Sequence, residues 1–188
     1  MMKILNKIGI LSLALVLGLS LQSNAQSTPE RTGIQLSVGP QASLPIGSFK
    51  DAYDWSIGGS VQADFPVLKN DLYVVVNAGY NNFFAKDGVG TGTDLQVVPV
   101  SAGLKYYFPS TNLYIQGTAG AGFIANKDDL AADKSASFTY SPQIGYLLNI
   151  GGKNALDFAV KFESDSKIYE AGKTSNFLGL RVAYNFGL

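Results

Sequence analysis

The feature that most constrains this chain is an alternation of apolar and polar side chains that returns in segment after segment. From Leu178 to Leu188 every even-numbered residue is apolar, and the odd-numbered residues are Gly, Arg, Ala, Asn and Gly. Successive side chains of a β-strand point to opposite faces, so this segment presents one wholly apolar face. The same pattern predicts eight strands, at residues 34–39, 55–65, 72–81, 98–108, 113–123, 138–148, 156–163 and 178–188.

The connections between the predicted strands alternate in length. Short turns at 68–71, 109–112 and 151–154 follow the even-numbered strands, and longer polar loops at 45–54, 85–93, 125–136 and 164–176 follow the odd-numbered ones. If consecutive strands pair, the short turns collect at one rim and the long loops at the other, as in outer-membrane barrels. The sequence therefore predicts an all-β fold, an eight-stranded antiparallel up-and-down β-barrel.

Alternation alone fits two barrels, a soluble one with its apolar face inside and a transmembrane one with that face outside. The apolar face carries no charge in any predicted strand, and the polar face is mostly Ser, Gln, Asn, Thr and Gly. A water-exposed surface is normally about 25–35% charged, so these small neutral residues fit a narrow lumen better. Aromatic residues gather near both ends of the apolar face: Trp55, Phe84, Phe123, Phe138 and Phe162 at the loop end, and Phe65, Tyr106, Phe108, Tyr184 and Phe186 at the turn end. Two such rims are typical of membrane interfaces, so the transmembrane barrel is favoured.

The first 25 residues have the features of an export signal. A short start with two lysines precedes an apolar run over residues 8–21, and Ser23-Asn24-Ala25 supplies the small residues that a signal peptidase reads. We expect a signal peptide over 1–25 and one barrel domain over 26–188. Without those two lysines, 12 basic residues stand against 14 acidic ones, and a net charge of −2 gives no basis for binding nucleic acid.

The signal ending Ser23-Asn24-Ala25, the alternation of turns and loops, and the closing strand from Leu178 to Leu188 together resemble the small outer-membrane β-barrels of the OmpA/OmpX type. This resemblance implies export across the inner membrane and a location in the bacterial outer membrane. It also implies two partners, the outer-membrane lipids and the barrel-assembly machinery during insertion. The chain departs from the family at its end, where Phe186 is followed by Gly187-Leu188 instead of ending on an aromatic residue.

The amino-acid composition argues against an enzyme activity. The lipid-modifying enzymes and proteases among similar barrels use a His, and this chain contains no His. The lack of His also removes the commonest metal ligand, and the lack of Cys excludes thiolate sites. We therefore expect no enzyme activity, no cofactor and no metal site.

One set of charged residues stands out because it lies on the polar, lumen-facing side of the predicted strands. The set holds three acids and three bases: Asp64, Asp157, Glu163, Lys105, Lys161 and Arg181. Buried charges are tolerated when they are paired, so the set predicts either an internal ion-pair network that fills the lumen or the charged constriction of a small pore. We expect Arg181 to be the central base, held by Asp157, Glu163 or Asp64.

Three classes of function follow from this pattern. The first is a non-enzymatic outer-membrane barrel with a plugged polar lumen, which acts in envelope structure or through its surface loops. The second is a small passive channel, similar to a porin. The third, if the apolar face were inside, is a soluble periplasmic carrier of an apolar ligand.

Overall fold

The computed structural model describes residues 33–68, 71–88, 92–130, 134–167 and 174–188. Its strands are β1 (Gln35–Ile46), β2 (Tyr53–Leu68), β3 (Leu72–Ala85), β4 (Leu95–Tyr107), β5 (Leu113–Ile124), β6 (Ala136–Gly151), β7 (Asn154–Asp165) and β8 (Ser175–Gly187). A 3-10 helix, Phe49–Asp51, follows β1, and a one-turn helix α1, Lys127–Leu130, follows β5. The expected signal peptide over 1–25 and its boundary at residue 26 lie outside the described residues and stay predictions. Among the residues described, we find no helix long and apolar enough to cross a membrane.

Each strand pairs antiparallel with the next along the chain, and β1 pairs with β8 to close the barrel. The predicted fold class, an eight-stranded up-and-down barrel, is thereby confirmed. Closure leaves no open sheet edge, which is essential in lipid because lipid offers no partner to unpaired backbone groups. The connections β2–β3, β4–β5 and β6–β7 are the short ones. The rim that carries them is called the turn end below, and the opposite rim the loop end.

Several strands reach further towards the loop end than the alternation predicted. β1 continues to Ile46 and β7 to Asp165, so the connections predicted at 45–54 and 164–176 are shorter than expected. In β1 the polar inward positions resume at the buried Gln41 and Ser43. The pair Gly39-Pro40, directly before Gln41, hides this continuity, because neither residue marks a face by its polarity.

The two faces of the barrel wall are sorted as the sequence predicted. Outward side chains are apolar and open to the surroundings, such as Val38, 51% exposed, and Leu180, 59% exposed. Inward side chains in the middle of the barrel are polar and buried, such as Gln62 and Arg181. An apolar exterior around a polar interior is the reverse of a soluble carrier, so the third class of function does not fit this fold.

Three prolines interrupt the backbone ladder at mid-strand positions. Each proline lies in a short gap in the pairing between two neighbouring strands. Pro40 lies in the gap between β1 and β8, Pro99 in the gap between β3 and β4, and Pro142 in the gap between β6 and β7. Proline has no N–H, so the carbonyl across the ladder loses its donor. At the β6–β7 break, Ser141 Oγ donates instead to the carbonyl of Phe162 at 2.9 Å. The closing β1–β8 seam thus carries one of these weak points.

Candidate functional site

The inward side chains fill the lumen in three layers, which together form the candidate site. The turn-end layer is apolar and aromatic: Tyr73, Val75, Tyr107, Tyr114, Leu147, Ala155 and Ala159. The loop-end layer is apolar as well: Phe49, Phe83, Leu95, Val97, Ile124, Leu130 and Phe177. A polar belt adjoins the turn-end layer and extends from it towards the loop-end layer. It contains all six charged residues singled out from the sequence, each of them buried.

Arg181 projects from β8 into the polar belt and binds partners on three other strands. Its Nη1 donates to Asp157 Oδ2 on β7 at 3.2 Å, its Nε to Ser60 Oγ on β2 at 2.8 Å, and its Nη2 to Ser37 Oγ on β1 at 2.9 Å. Of the three acids considered from the sequence, the structure pairs Arg181 with Asp157. One guanidinium group therefore ties together the first and last strands of the barrel.

A second ion pair joins Lys105 on β4 to Asp64 on β2. Lys105 Nζ lies 2.5 Å from Asp64 Oδ2, and both side chains are almost completely buried. Gln62 Nε2 donates to the other carboxylate oxygen at 2.7 Å, and Gln62 and Gln116 exchange two hydrogen bonds at 3.1 and 3.2 Å. The ammonium group also lies 4.6 Å from the centre of the Tyr114 ring, a favourable cation–π geometry.

Tyr114 connects these two ion pairs into one network. Its hydroxyl donates to Asp157 Oδ1 at 2.7 Å and accepts from Gln143 Nε2 at 2.8 Å, while its ring lies beneath Lys105. The sequence placed Asp64, Lys105 and Asp157 in one layer near the turn end, and the structure brings these three residues together there. The phenol group that links them was not recognised from the sequence.

The third ion pair lies nearer the loop end. Lys161 Nζ donates to Glu163 Oε2 at 2.7 Å and lies 5.9 Å from the centre of the Phe177 ring. Because β7 extends further than predicted, Asp165 also faces the lumen, where it is buried opposite Thr139 in the ladder. The balance of three acids and three bases inferred from the sequence is therefore incomplete, since a fourth buried acid lies beside this pair.

The two apolar layers were missed by the sequence interpretation. At the turn end, Tyr107 packs edge-on against Tyr73 and Tyr114, with ring centres 5.7 and 5.4 Å apart. At the loop end, Phe83 packs edge-on against Phe49 and Phe177 at 5.1 and 5.0 Å. Continuous apolar runs at 74–76, 83–84 and 97–98 are the signal that could have shown these inward apolar positions, because in them both faces of the strand are apolar.

The loop-end layer is closed partly by side chains from the connections. Phe49 comes from the 3-10 helix after β1, and Leu130 from α1 after β5, and both are buried against strand residues. The sequence interpretation treated both segments as polar loops and assigned no inward side chain to them. These connections therefore form a lid over the lumen.

Little space remains inside the barrel. The polar belt encloses a cavity of about 20 Å³, lined by side chains that include Gln41, Gln116, Lys161 and Arg181. That volume holds about one water molecule. The described residues contain no cluster of three or more carboxylates that could hold a metal ion.

All ten aromatic residues predicted for the two rims lie on the outer face. Trp55 and Phe84 stack at the loop end with ring centres 4.6 Å apart. At the turn end Tyr106 contacts Phe108 at 5.8 Å, and Tyr184 contacts Phe186 at 6.1 Å. Their role at the membrane interfaces stays a prediction.

A closed, eight-stranded barrel with an apolar wall, a polar interior and short turns at one rim defines the class of small outer-membrane β-barrel proteins. The sequence places the chain in a particular family of that class: residues 11–186 match the outer membrane protein beta-barrel domain, and the chain belongs to this family. The predicted family resemblance and the location in the bacterial outer membrane are both confirmed. No curated protein matches the sequence.

Solved structures of other barrels share the fold at low sequence identity. Neisserial surface protein A is 14% identical, with a TM-score of 0.57 over 84% of this chain and 98% of that protein. Ail, the attachment invasion locus protein of Yersinia pestis, is 17% identical, with a TM-score of 0.51 over 82% and 99%. OprG from Pseudomonas aeruginosa is 12% identical, with a TM-score of 0.50 over 85% and 99%. These likenesses concern the fold alone.

Proposed function

We propose that this protein is a non-enzymatic, non-conducting barrel of the outer membrane, which acts through its loops or by stabilising the envelope. The observation that carries the proposal is the filled lumen, in which paired charges lie between two closed apolar layers. The wall and the loop end are then the surfaces left for interaction. Outer-membrane lipids and, during insertion, the barrel-assembly machinery are the partners that we expect.

The three layers oppose conduction in different ways. An ion that enters from the loop end meets a ring of apolar side chains, which excludes water and therefore excludes ions. Below that ring, Arg181 and Lys105 are held by Asp157 and Asp64, so passage requires that paired groups separate. The turn-end layer then closes the other mouth with buried tyrosines.

The lumen is equally unsuited to catalysis. A cavity of about 20 Å³ admits no substrate, and the sequence offers no His as a base near neutral pH. Hydrogen bonds from Gln62 to Asp64 and from Tyr114 to Asp157 hold the two acids that also pair with Lys105 and Arg181, which is the arrangement of a packed core.

A role at the surface is compatible with this fold. Ail is by name an attachment invasion locus protein, and Neisserial surface protein A is by name a surface protein. Both have the same barrel fold as this chain at low identity, so the comparison supports only that such a barrel can serve a surface role.

A small passive channel is the second candidate, and the origin of the lid favours it. Phe49 and Leu130 are carried by connections, which can move without opening the strand ladder. Movement of these two segments would uncover the polar belt from outside. In this reading the belt is a charged constriction instead of a plug.

Conductance in planar bilayers separates the two candidates. We expect no steady current from the wild type and none from Phe49→Ala, because the belt and the turn-end layer remain closed. The control is Phe138→Ala, which removes an outward aromatic at the same end of the barrel. Steady wild-type currents would overturn the proposal, and currents in Phe49→Ala alone would identify a channel gated by the lid.

A further inference from the structure

One buried acid of the lumen has no base of its own. The other three buried acids of the described residues each form an ion pair: Asp64 with Lys105, Asp157 with Arg181, and Glu163 with Lys161. Asp165 is only 7% exposed, and its Oδ1 has no hydrogen-bond partner. In the part of the chain that the structure describes, this oxygen is the one charged atom that is fully buried and unpartnered. The sequence interpretation placed Asp165 in a polar loop, so its expectation of no metal site did not take this residue into account.

The charge around Asp165 is negative. Among the described residues, Glu163 and Lys161 are the charged side chains that lie close enough to act on it. Glu163 lies two residues away on the same face of β7, a distance of about 7 Å along the strand. The ammonium group of Lys161 lies 2.7 Å from Glu163 Oε2 and is therefore already engaged. One base beside two acids leaves one negative charge in a buried space, where an uncompensated charge is costly.

A hydroxyl group that also lacks a partner lies opposite Asp165. Thr139 on β6 pairs directly with Asp165 on β7, and side chains in such positions have Cβ atoms about 4.5–5.5 Å apart. Thr139 is 3% exposed, and its Oγ1 has no hydrogen-bond partner. The lining of the small cavity in the polar belt includes both Thr139 and Glu163. Two carboxylates and one hydroxyl group therefore form a buried cluster of oxygen atoms beside that cavity.

We infer that Asp165 and Thr139 bind one monovalent alkali cation, Na⁺ or K⁺, near the loop end of the lumen. Hard cations prefer oxygen ligands, and a single positive charge balances the single excess negative charge. Glu163 contributes its negative charge to the site while it stays paired with Lys161. A divalent cation would leave an excess positive charge, and it normally takes more oxygen ligands than this cluster offers.

The position of the cluster gives a cation access from outside the cell. Asp165 is the last residue of β7, whereas Asp64 and Asp157 lie deeper in the lumen and are closed off almost completely. A cation that enters from the loop end reaches Asp165 before it meets Lys161 and Arg181, whose positive charges repel it. Binding therefore needs no passage of ions through the barrel. The inference goes beyond the proposed function and does not depend on whether the lumen conducts.

The test measures the unfolding of the full chain in vesicles of phosphatidylcholine, which carries no net charge. Urea unfolding is followed by the fluorescence of Trp55 in chloride salts of sodium, potassium, calcium or N-methyl-D-glucamine, a large organic cation, at equal ionic strength. The proteins are the wild type, Asp165→Asn, Thr139→Val and Asp87→Asn, the last of which removes an exposed acid at the same end of the barrel as a control. Heat-modifiable migration on gels verifies that the variants fold.

We expect the urea midpoint of the wild type to be higher in sodium or potassium than in N-methyl-D-glucamine, by roughly 0.5–1 M. Asp165→Asn should lose this difference. In the organic cation it should be at least as stable as the wild type, because it no longer buries an unpaired charge. Thr139→Val should need more alkali cation to reach the same midpoint, because one oxygen ligand is lost. Asp87→Asn should behave as the wild type does.

Three outcomes would contradict the inference. A wild-type midpoint that is the same in every salt would overturn it and would indicate that Asp165 is neutralised by a proton; this comparison needs no variant. A sodium or potassium effect that persists in Asp165→Asn would also overturn it, because the cation would then bind elsewhere. Stabilisation by calcium alone would refute the choice of a monovalent cation.

Discussion

Arg181→Ala should be among the most damaging single changes in the polar belt. The substitution removes three hydrogen bonds and leaves Asp157, which is fully buried, with Tyr114 as its remaining partner. Removal of one member of a buried ion pair costs about 3–5 kcal/mol, because the other charge stays buried and uncompensated. Ser37→Ala, which removes one neutral acceptor from the same guanidinium, should cost only about 1–2 kcal/mol.

A double-mutant cycle of Arg181→Ala and Asp157→Ala separates the ion pair from simple loss of packing. The assay is urea unfolding in lipid vesicles, followed by the fluorescence of Trp55, the single tryptophan of the chain. We expect the double variant to lose clearly less free energy of unfolding than the sum of the single losses, with a coupling of about 1–3 kcal/mol. Additive losses, or an Arg181→Ala loss within about 0.5 kcal/mol of zero, would show that the pair does not stabilise the barrel.

Three further substitutions test the wall, the strand contacts and the lid. Val76→Arg, at an outward position that is 45% exposed, should lower the free energy of unfolding in lipid by about 2–4 kcal/mol. If this variant were as stable as the wild type, the assignment of the inner and outer faces would be wrong. Gly120→Ala should abolish the heat-modifiable band, because its Cβ would lie 2.1 Å from the carbonyl oxygen of Val100, whereas Gly117→Ala should fold normally. Phe49→Ala should lower the free energy of unfolding by up to about 3–5 kcal/mol, measured by the same urea titration. An unchanged urea midpoint of unfolding would mean that Phe49 does not pack against the loop-end layer.

The sequence predicted the barrel well because a membrane wall has to satisfy a simple rule. Every outward side chain at mid-height meets lipid and every inward one meets a crowded polar space, so the period-two pattern is strict in segments such as 178–188. The strand ends were less predictable. Gly39 and Pro40 carry no polarity signal, so the continuation of β1 to Ile46 could not be read across them.

The candidate site was predicted as a set of residues but not as a set of pairs. The alternation identified which charges point inward, since that depends only on position within a strand. Which acid meets which base depends on the stagger of strands around the barrel, and Arg181 reaches Ser37 across 144 residues of sequence. The apolar layers were missed for another reason: near the rims both faces of a strand are apolar, so Phe83 or Val97 gives no contrast with its neighbours.

The arrangement of the lumen explains where the barrel needs its polar contacts most. The β1–β8 seam joins the first and last strands of the barrel, and Pro40 interrupts its backbone ladder between Val38 and Gln41. Arg181 borders that interruption on β8 and bonds to β1, β2 and β7, so side-chain contacts strengthen the seam where the backbone ladder is weakest. The apolar layers at both ends keep water from competing for these bonds, which makes each bond stronger and each unpaired group more costly. The polar belt therefore favours the closed register over shifted ones, in which the same charges would be buried without partners.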